Sequence, residues 1–150
     1  ETLCDDSLDD DGDGDIDCAD SECAGAANCL TPEVEPNDDA ASANAMPTLP
    51  AGMSADLSAG EHDWFSFNVP ADGSSVHIYT EESPGACPDH DTEIELFDAT
   101  GASSIAGNSD SGVGLCSDLN VTLDAGTYTV DVYGWSGSVS GPYSLIVEIL

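Results

Sequence analysis

The stretches Asp63-Trp64-Phe65-Ser66-Phe67-Asn68-Val69 and Thr127-Tyr128-Thr129-Val130-Asp131-Val132-Tyr133 decide the fold. In the first, Phe65, Phe67 and Val69 alternate with Ser66 and Asn68. In the second, Tyr128, Val130 and Val132 alternate with Thr127, Thr129 and Asp131. A period of two marks a strand with one buried face. Working outward, residues 53–57, 75–80, 93–97, 103–106, 119–123 and 143–150 read as further strands, separated by clusters of Gly, Pro, Asp and Ser. No stretch has a helical period. About eight short strands predict an all-β fold, an antiparallel β-sandwich or jelly roll, over residues 51–150.

Upstream of the strands the composition changes twice. Residues 1–30 are rich in Asp and Cys and almost free of aliphatic side chains. Such an arm cannot bury a core and folds only when metal and disulfides replace one. Residues 31–50, TPEVEPNDDAASANAMPTLP, hold four prolines among small and polar residues and read as an extended connector. The expected organisation is an arm (1–30), a connector with an acidic cluster (31–50) and a sandwich (51–150). With no long apolar run, no membrane insertion is expected, and the chain reads as a mature secreted form beginning at Glu1.

Charge narrows the function. Thirty-one acidic residues face no lysine and no arginine, for a formal net charge of −31. Only three histidines can carry positive charge, so ordinary salt bridges are excluded. Nucleic acid is excluded as a partner, because its binding depends on Lys and Arg displacing counterions. Self-repulsion opposes compaction. An external divalent cation is the expected remedy.

The run from Asp9 to Asp20 fits the calcium-loop pattern D-x-D-x-D-G-x-I-x-x-x-D. Asp9, Asp11 and Asp13 occupy positions whose carboxylates converge on the ion, and Gly14 takes the sharp turn. Asp15 offers its backbone carbonyl, Ile16 tucks inward and Asp20 closes the shell. Asp17 is available to complete the shell or hold a second ion. From Cys4 to Cys23 the block also resembles a C-D-x-x-x-D-x-D-G-D-G-x-x-D-C-x-D-x-x-C signature of secreted bacterial proteins, related in style to thrombospondin type 3 and dockerin loops.

Six cysteines, Cys4, Cys18, Cys23, Cys29, Cys87 and Cys116, form an even set that points to disulfides in an oxidising compartment. The spacing of the first four lacks the paired knuckles of a zinc module. Those four allow three pairings, among which Cys4–Cys18 with Cys23–Cys29 is the expectation. Cys87 and Cys116 are left to pair, stapling the loop over residues 83–90 to the segment before Leu119. Asn120-Val121-Thr122 is an N-glycosylation sequon.

Further motifs fall in a recognisable order. They are Glu33-Val34-Glu35-Pro36-Asn37-Asp38, Asp63-Trp64-Phe65-Ser66-Phe67, Asp91-Thr92-Glu93-Ile94-Glu95-Leu96-Phe97-Asp98, Ala125-Gly126-Thr127-Tyr128-Thr129-Val130 and Gly141-Pro142-Tyr143-Ser144-Leu145. With them, residues 33–150 resemble the bacterial pre-peptidase C-terminal domain, a family related to the collagen-binding domains of collagenases. The resemblance implies a β-sandwich in which the acidic lead-in and the strand near Asp63 hold calcium together. It carries Glu33, Glu35, Asn37, Asp38 and Asp63 over as calcium ligands. Glu61 stands at a position shifted from the family's remaining acid.

Catalysis is not expected. His62, His77 and His90 sit in unrelated places, no G-x-S-x-G context exists, and without Lys or Arg there is no Schiff-base amine or phosphate cradle. His62 and His77 read as surface residues. Trp64 and Tyr143 read as core, and Trp135, in a Gly-flanked loop, as the exposed aromatic for docking or ligand binding. The chain reads as complete without a catalytic partner. The leading expectation is therefore an extracellular, calcium-binding structural subunit that self-associates into a filament or surface assembly. The alternative is a polymer-binding module, for collagen or polysaccharide, working beside a secreted hydrolase.

Overall fold

The computed structural model describes residues 3–82, 86–137 and 139–150. Glu1, expected as the mature start, and residues 83–85 of the loop expected to be stapled lie outside the described residues. Among the described residues, ten strands form two five-stranded sheets. One sheet has the spatial order β1 (Leu30–Pro32), β3 (Ala51–Leu57), β10 (Gly141–Ile149), β5 (Ser74–Glu81) and β8 (Asp118–Leu123). The other runs β2 (Asn44–Ala45), β4 (His62–Val69), β9 (Gly126–Gly134), β6 (Thr92–Asp98) and β7 (Ser104–Asn108). The two stretches that open the sequence argument are neighbours, antiparallel, with Phe65 opposite Val130 and Phe67 opposite Tyr128.

All eight expected strands form, with ends moved by a few residues. Phe65, Phe67, Ile94, Leu96, Val130 and Val132 from one sheet and Met53, Leu57, Val76, Ile78, Leu145 and Val147 from the other make the core. Each such side chain contributes about 1.5–3 kcal/mol on burial. β1 and β2 are additions. Both come from the arm–connector region, and both pair in parallel, β1 with β3 and β2 with β4. The sandwich is therefore mixed at one edge of each sheet. The connector is tied to both sheets in turn, a closer attachment than an extended linker needs.

Trp64 corrects an expectation. Strand parity sends Phe65 inward, so Trp64 faces out, half-buried. It packs there on Phe97, ring centroids 5.0 Å apart, and beneath Gly101. Tyr143 is core as expected.

Cys87 pairs with Cys116. The arm pairing differs from the expectation: the bridges are Cys4–Cys23 and Cys18–Cys29, not Cys4–Cys18 and Cys23–Cys29. Two consecutive turns, Ala26 N to Cys23 O (2.9 Å) and Cys29 N to Ala26 O (2.7 Å), fold the chain back. Cys29 thereby reaches Cys18, and Cys23 is left to Cys4.

The arm lies against its own sandwich. Cys23 and Ala24 are fully buried. A Cβ on Gly52 would meet Ala24 O at 2.3 Å, and one on Gly25 would meet Ile146 Cγ1 at 3.8 Å. Ile146 is fully buried although it alternates with the core residues Leu145 and Val147. It points to the outer face of β10, where the arm covers it.

Candidate metal centre

β3 and β4 frame the connector's acidic residues. Glu33 continues β1, its N–H bonded to Ser54 O at 2.9 Å, and its Oε1 accepts the Asp56 N–H at 2.7 Å. The chain then bends so that Asn37 lies alongside β4, accepting the Trp64 N–H on its carbonyl at 2.9 Å. Asn37 and Asp63 are both fully buried. The Asn37 side chain donates from Nδ2 to Glu33 Oε2 at 3.4 Å, and Tyr143 donates its hydroxyl to Asp63 Oδ2 at 2.8 Å. Asn37 Oδ1 and Asp63 Oδ1 have no hydrogen-bond partner among the described residues.

Two groups of carboxylates converge here. Glu33, Glu35 and Asp63 offer oxygens within 4.8 Å of one another, and so do Glu35, Asp38 and Glu61. Glu35 belongs to both. Every expected connector ligand is thus part of one neighbourhood, and Glu61, despite its shifted position, joins it.

The electrostatics follow from burial without a counter-charge. Asp63 is pushed up to about 8, first by burial and then by Glu33, Glu61 and Glu35, against the opposing Tyr143 hydrogen bond. Burial also raises Glu33. Tyr143 is raised by its own burial and by Asp63. Buried carboxylates cost several kcal/mol each unless paired. A hard cation satisfies such a set: calcium takes six to eight oxygens from carboxylates, amides and backbone.

The arm forms another group: Asp11, Asp13, Asp20 and Glu22, again within 4.8 Å. Asp20 is fully buried, accepts the Glu22 N–H on Oδ1 at 2.8 Å, and its Oδ2 has no hydrogen-bond partner among the described residues. The close approach of the two carboxyl groups lowers Asp20 and raises Glu22. Asp9 and Asp17 are placed differently. Asp9 Oδ1 accepts the Gly12 N–H at 2.7 Å, and the Asp17 carboxylate takes the N–H groups of Asp6 and Ser7 at 3.0–3.2 Å. The Asp15 N–H donates to Asp13 Oδ1 at 2.9 Å. Ile16, expected to tuck inward, is exposed. Glu22 lies outside the loop pattern and could be found only from its place in the turn Ser21–Cys23, which Asp20 caps.

Each histidine meets carboxylates. His62 Nδ1 lies 2.9 Å from Asp131 Oδ2, and His77 sits between Glu148 and Asp118 at 2.8 and 3.0 Å, less exposed than its strand parity suggests. His90 lies 2.5 Å from Glu82. All six cysteines are in disulfides, so no thiol nucleophile exists. Trp135 is 55 % exposed, and the sequon residue Asn120 is exposed. Among the described residues no helix is long and apolar enough to cross a membrane.

Residues 61–134 match the family model of the bacterial pre-peptidase C-terminal domain. Among solved structures, the pre-peptidase C-terminal domain of a collagenase from Bacillus anthracis is similar, with 21 % identity and a TM-score of 0.55. That match covers 77 % of this chain and 100 % of the other. PliG from Aeromonas hydrophila, a periplasmic inhibitor of g-type lysozyme, is similar at 17 % identity and a TM-score of 0.53, over 71 % of this chain and 96 % of its own. Both likenesses are of fold. No curated protein matches significantly by sequence.

Proposed function

We propose that the protein is a non-catalytic, calcium-dependent binding module that works outside the cytoplasm. Calcium fastens the connector to the sandwich, and the sandwich presents the ligand surface. The observation that carries this reading is the pair of buried, unpartnered oxygens, Asn37 Oδ1 and Asp63 Oδ1, beside Glu33 and Glu35. Glu33, Asn37 and Asp63 hold one ion, with Glu35 between it and a second position served by Asp38 and Glu61. The arm loop, residues 9–20, takes calcium as well. Three disulfides support a secreted, oxidising setting.

The ligand class is an extracellular polymer, protein or polysaccharide, and the module serves beside a secreted hydrolase. The likeness to a domain of a collagenase supports this accessory role. Trp135 is the contact residue. It follows β9 directly and lies at the end of the sandwich where β4 begins with His62 and Asp63. Assembly into a filament or coat relied on an arm available to a neighbour. This arm is engaged with Gly52 and Ile146 of its own chain, which favours the binding role.

Co-sedimentation with insoluble collagen, cellulose and chitin, in millimolar calcium and then in chelator, tests the reading. Calcium-dependent retention on one polymer, lost in Trp135→Ala with an unchanged melt, is expected. Retention on none of the three, together with large particles by light scattering that dissolve on chelation, would return the protein to the assembly role.

A further inference from the structure

Alternation along β5 turns His77, Tyr79 and Glu81 to the outer face of its sheet. A cleft of about 190 Å³ opens there, lined on one side by Tyr79, Glu81 and Asp118 and on the other by Gly112, Val113 and Cys116. The second wall is fixed in place. It carries the Cys87–Cys116 bridge and the bonds Cys87 N to Val113 O (3.1 Å), Leu115 N to Cys87 O (3.0 Å) and Gly112 N to Cys116 O (3.0 Å). Val113 is 66 % exposed. Tyr79 is fixed as well. His77 stacks on one face of its ring, centroids 4.5 Å apart, and is itself held between Glu148 and Asp118. The two rings succeed one another along the strand, so the remaining face of Tyr79 turns along β5 towards Glu81. His77 Nε2 and Asn120 Nδ2 both meet Asp118 at Oδ1, at 3.0 Å, and these contacts leave Oδ2 as an acceptor. Burial first, and then Glu148, Glu81 and Asp118, raise the Tyr79 phenol, so the ring is neutral and stands in a negative field.

We propose that this cleft binds a lysine side chain of a partner protein, its ammonium between the remaining face of Tyr79 and Asp118 and its methylenes against Val113. An aromatic face, a carboxylate oxygen and an aliphatic rim together match an alkylammonium group. A hard metal ion is a poor match, because it takes six or more oxygens and much of this cleft is carbon. One acceptor oxygen suits a point charge, whereas the planar fork of a guanidinium is matched by two. No side chain of these 150 residues carries an amine or a guanidine, so neither this chain nor a second copy supplies the group. The occupant therefore comes from a different protein, and the net charge of −31 favours its approach. This goes beyond the binding role above and does not depend on it. The cleft lies on the sheet of β5 and β8, whereas Trp135 follows β9 of the other sheet, and none of its residues belongs to the acidic groups of the arm or connector.

The test uses the full chain in millimolar calcium at constant ionic strength. A tripeptide with lysine between two glycines, acetylated and amidated, is the probe, and its norleucine counterpart is the control. Backbone amide shifts are followed by NMR. The lysine peptide is expected to give saturable shifts at Tyr79, Gly112, Val113 and Asp118, and the norleucine peptide none. Tyr79→Leu and Asp118→Asn should each weaken the lysine peptide by about threefold to thirtyfold, while Tyr79→Phe, which keeps the ring, stays within about twofold. Val113→Ser, at an exposed position, should weaken it without touching the fold. Shifts that rise linearly and spread over the acidic surface would overturn the cleft, and so would equal shifts with norleucine. Wild-type affinity in Asp118→Asn and Val113→Ser would overturn it even where Tyr79→Leu does not fold. An arginine peptide that binds more tightly than the lysine one would overturn the choice of lysine.

Discussion

The Tyr143 hydroxyl donates a 2.8 Å hydrogen bond to Oδ2 of Asp63, and Asp63 Oδ1, equally buried, is left without a partner. Tyr143 belongs to β10 in one sheet and Asp63 to β4 in the other, so this bond crosses the sandwich at the acidic cluster. It holds one oxygen of a carboxylate that stands in one group with Glu33 and Glu35.

Tyr143→Phe should keep the core volume and lose that bond. A buried acceptor that loses its donor costs about 1–3 kcal/mol. The variant is expected to unfold at lower urea concentration by that amount and to bind calcium more weakly, measured by urea melts and calorimetry. A melt equal to the wild type would mean that Asp63 needs no such bond.

Calcium should displace a proton. Asp63 stands at about 8 in the metal-free protein, above the usual carboxylate range. A raised carboxyl contributes stability that is present below its ordinary value and lost as pH rises through the folded one. The metal-free protein should therefore weaken between about pH 4 and 8 on account of Asp63. Calcium binding at pH 7 should release close to one proton, read from titrations in buffers of different ionisation enthalpy. At millimolar calcium each site of extracellular type adds about 0.4–1.4 kcal/mol, so chelation should lower the melting temperature by several degrees. Binding with no proton release would place the ion away from Asp63.

Asp131 gives a second pH effect on the outer face of the same sheet. Burial pushes it up to about 6, against its contacts with His62. By the same sign, its contribution is complete below about pH 4 and lost as pH rises through 6. Asp131→Asn should flatten that part of the stability–pH profile and stabilise the protein at pH 7.5 by roughly 1–3 kcal/mol. Destabilisation at pH 7.5 would show that the His62 pair outweighs the burial cost.

Gly52→Ala should push the arm off the sandwich. The added Cβ falls 2.3 Å from Ala24 O, which is backbone and cannot swing away. A cost of about 1–3 kcal/mol is expected, with faster exchange over residues 20–30 and an intact core. Unchanged exchange there would mean that Ala24 does not dock on Gly52.

What could be read in advance divides along physical lines. Phe65, Phe67, Val130 and Val132 announce their strands because alternation is local. Leu30–Pro32 and Asn44–Ala45 announce nothing, being two or three residues long and held only by partners distant in the chain. Trp64 misleads because its size suggests burial while its parity, set by Phe65, sends it outward. The arm bridges are undecidable from spacing, since the turns that carry Cys29 to Cys18 form through hydrogen bonds that no motif encodes. Asp20 fits a known loop, but Glu22 becomes visible only when the turn it belongs to is folded. The connector's acidic cluster is legible through resemblance, whereas the Tyr143 bond to Asp63 spans 80 residues and needs the structure.

The parallel pairing of β1 with β3 gives the molecule a polarity. Leu30 lies opposite Gly52, and β10 runs the other way, with Val147 opposite Ala51. The junction with the arm and the last strand therefore leave the sandwich at the same pole. Asp63, Gly134 and the Trp135 turn occupy the opposite pole. A module laid out in this way is moored at one end and faces its surroundings with the other. Tension applied between the arm junction and Leu150 would peel strands from the moored end first. Because Glu33 directly follows β1, that load would reach the acidic cluster as soon as β1 parts from β3.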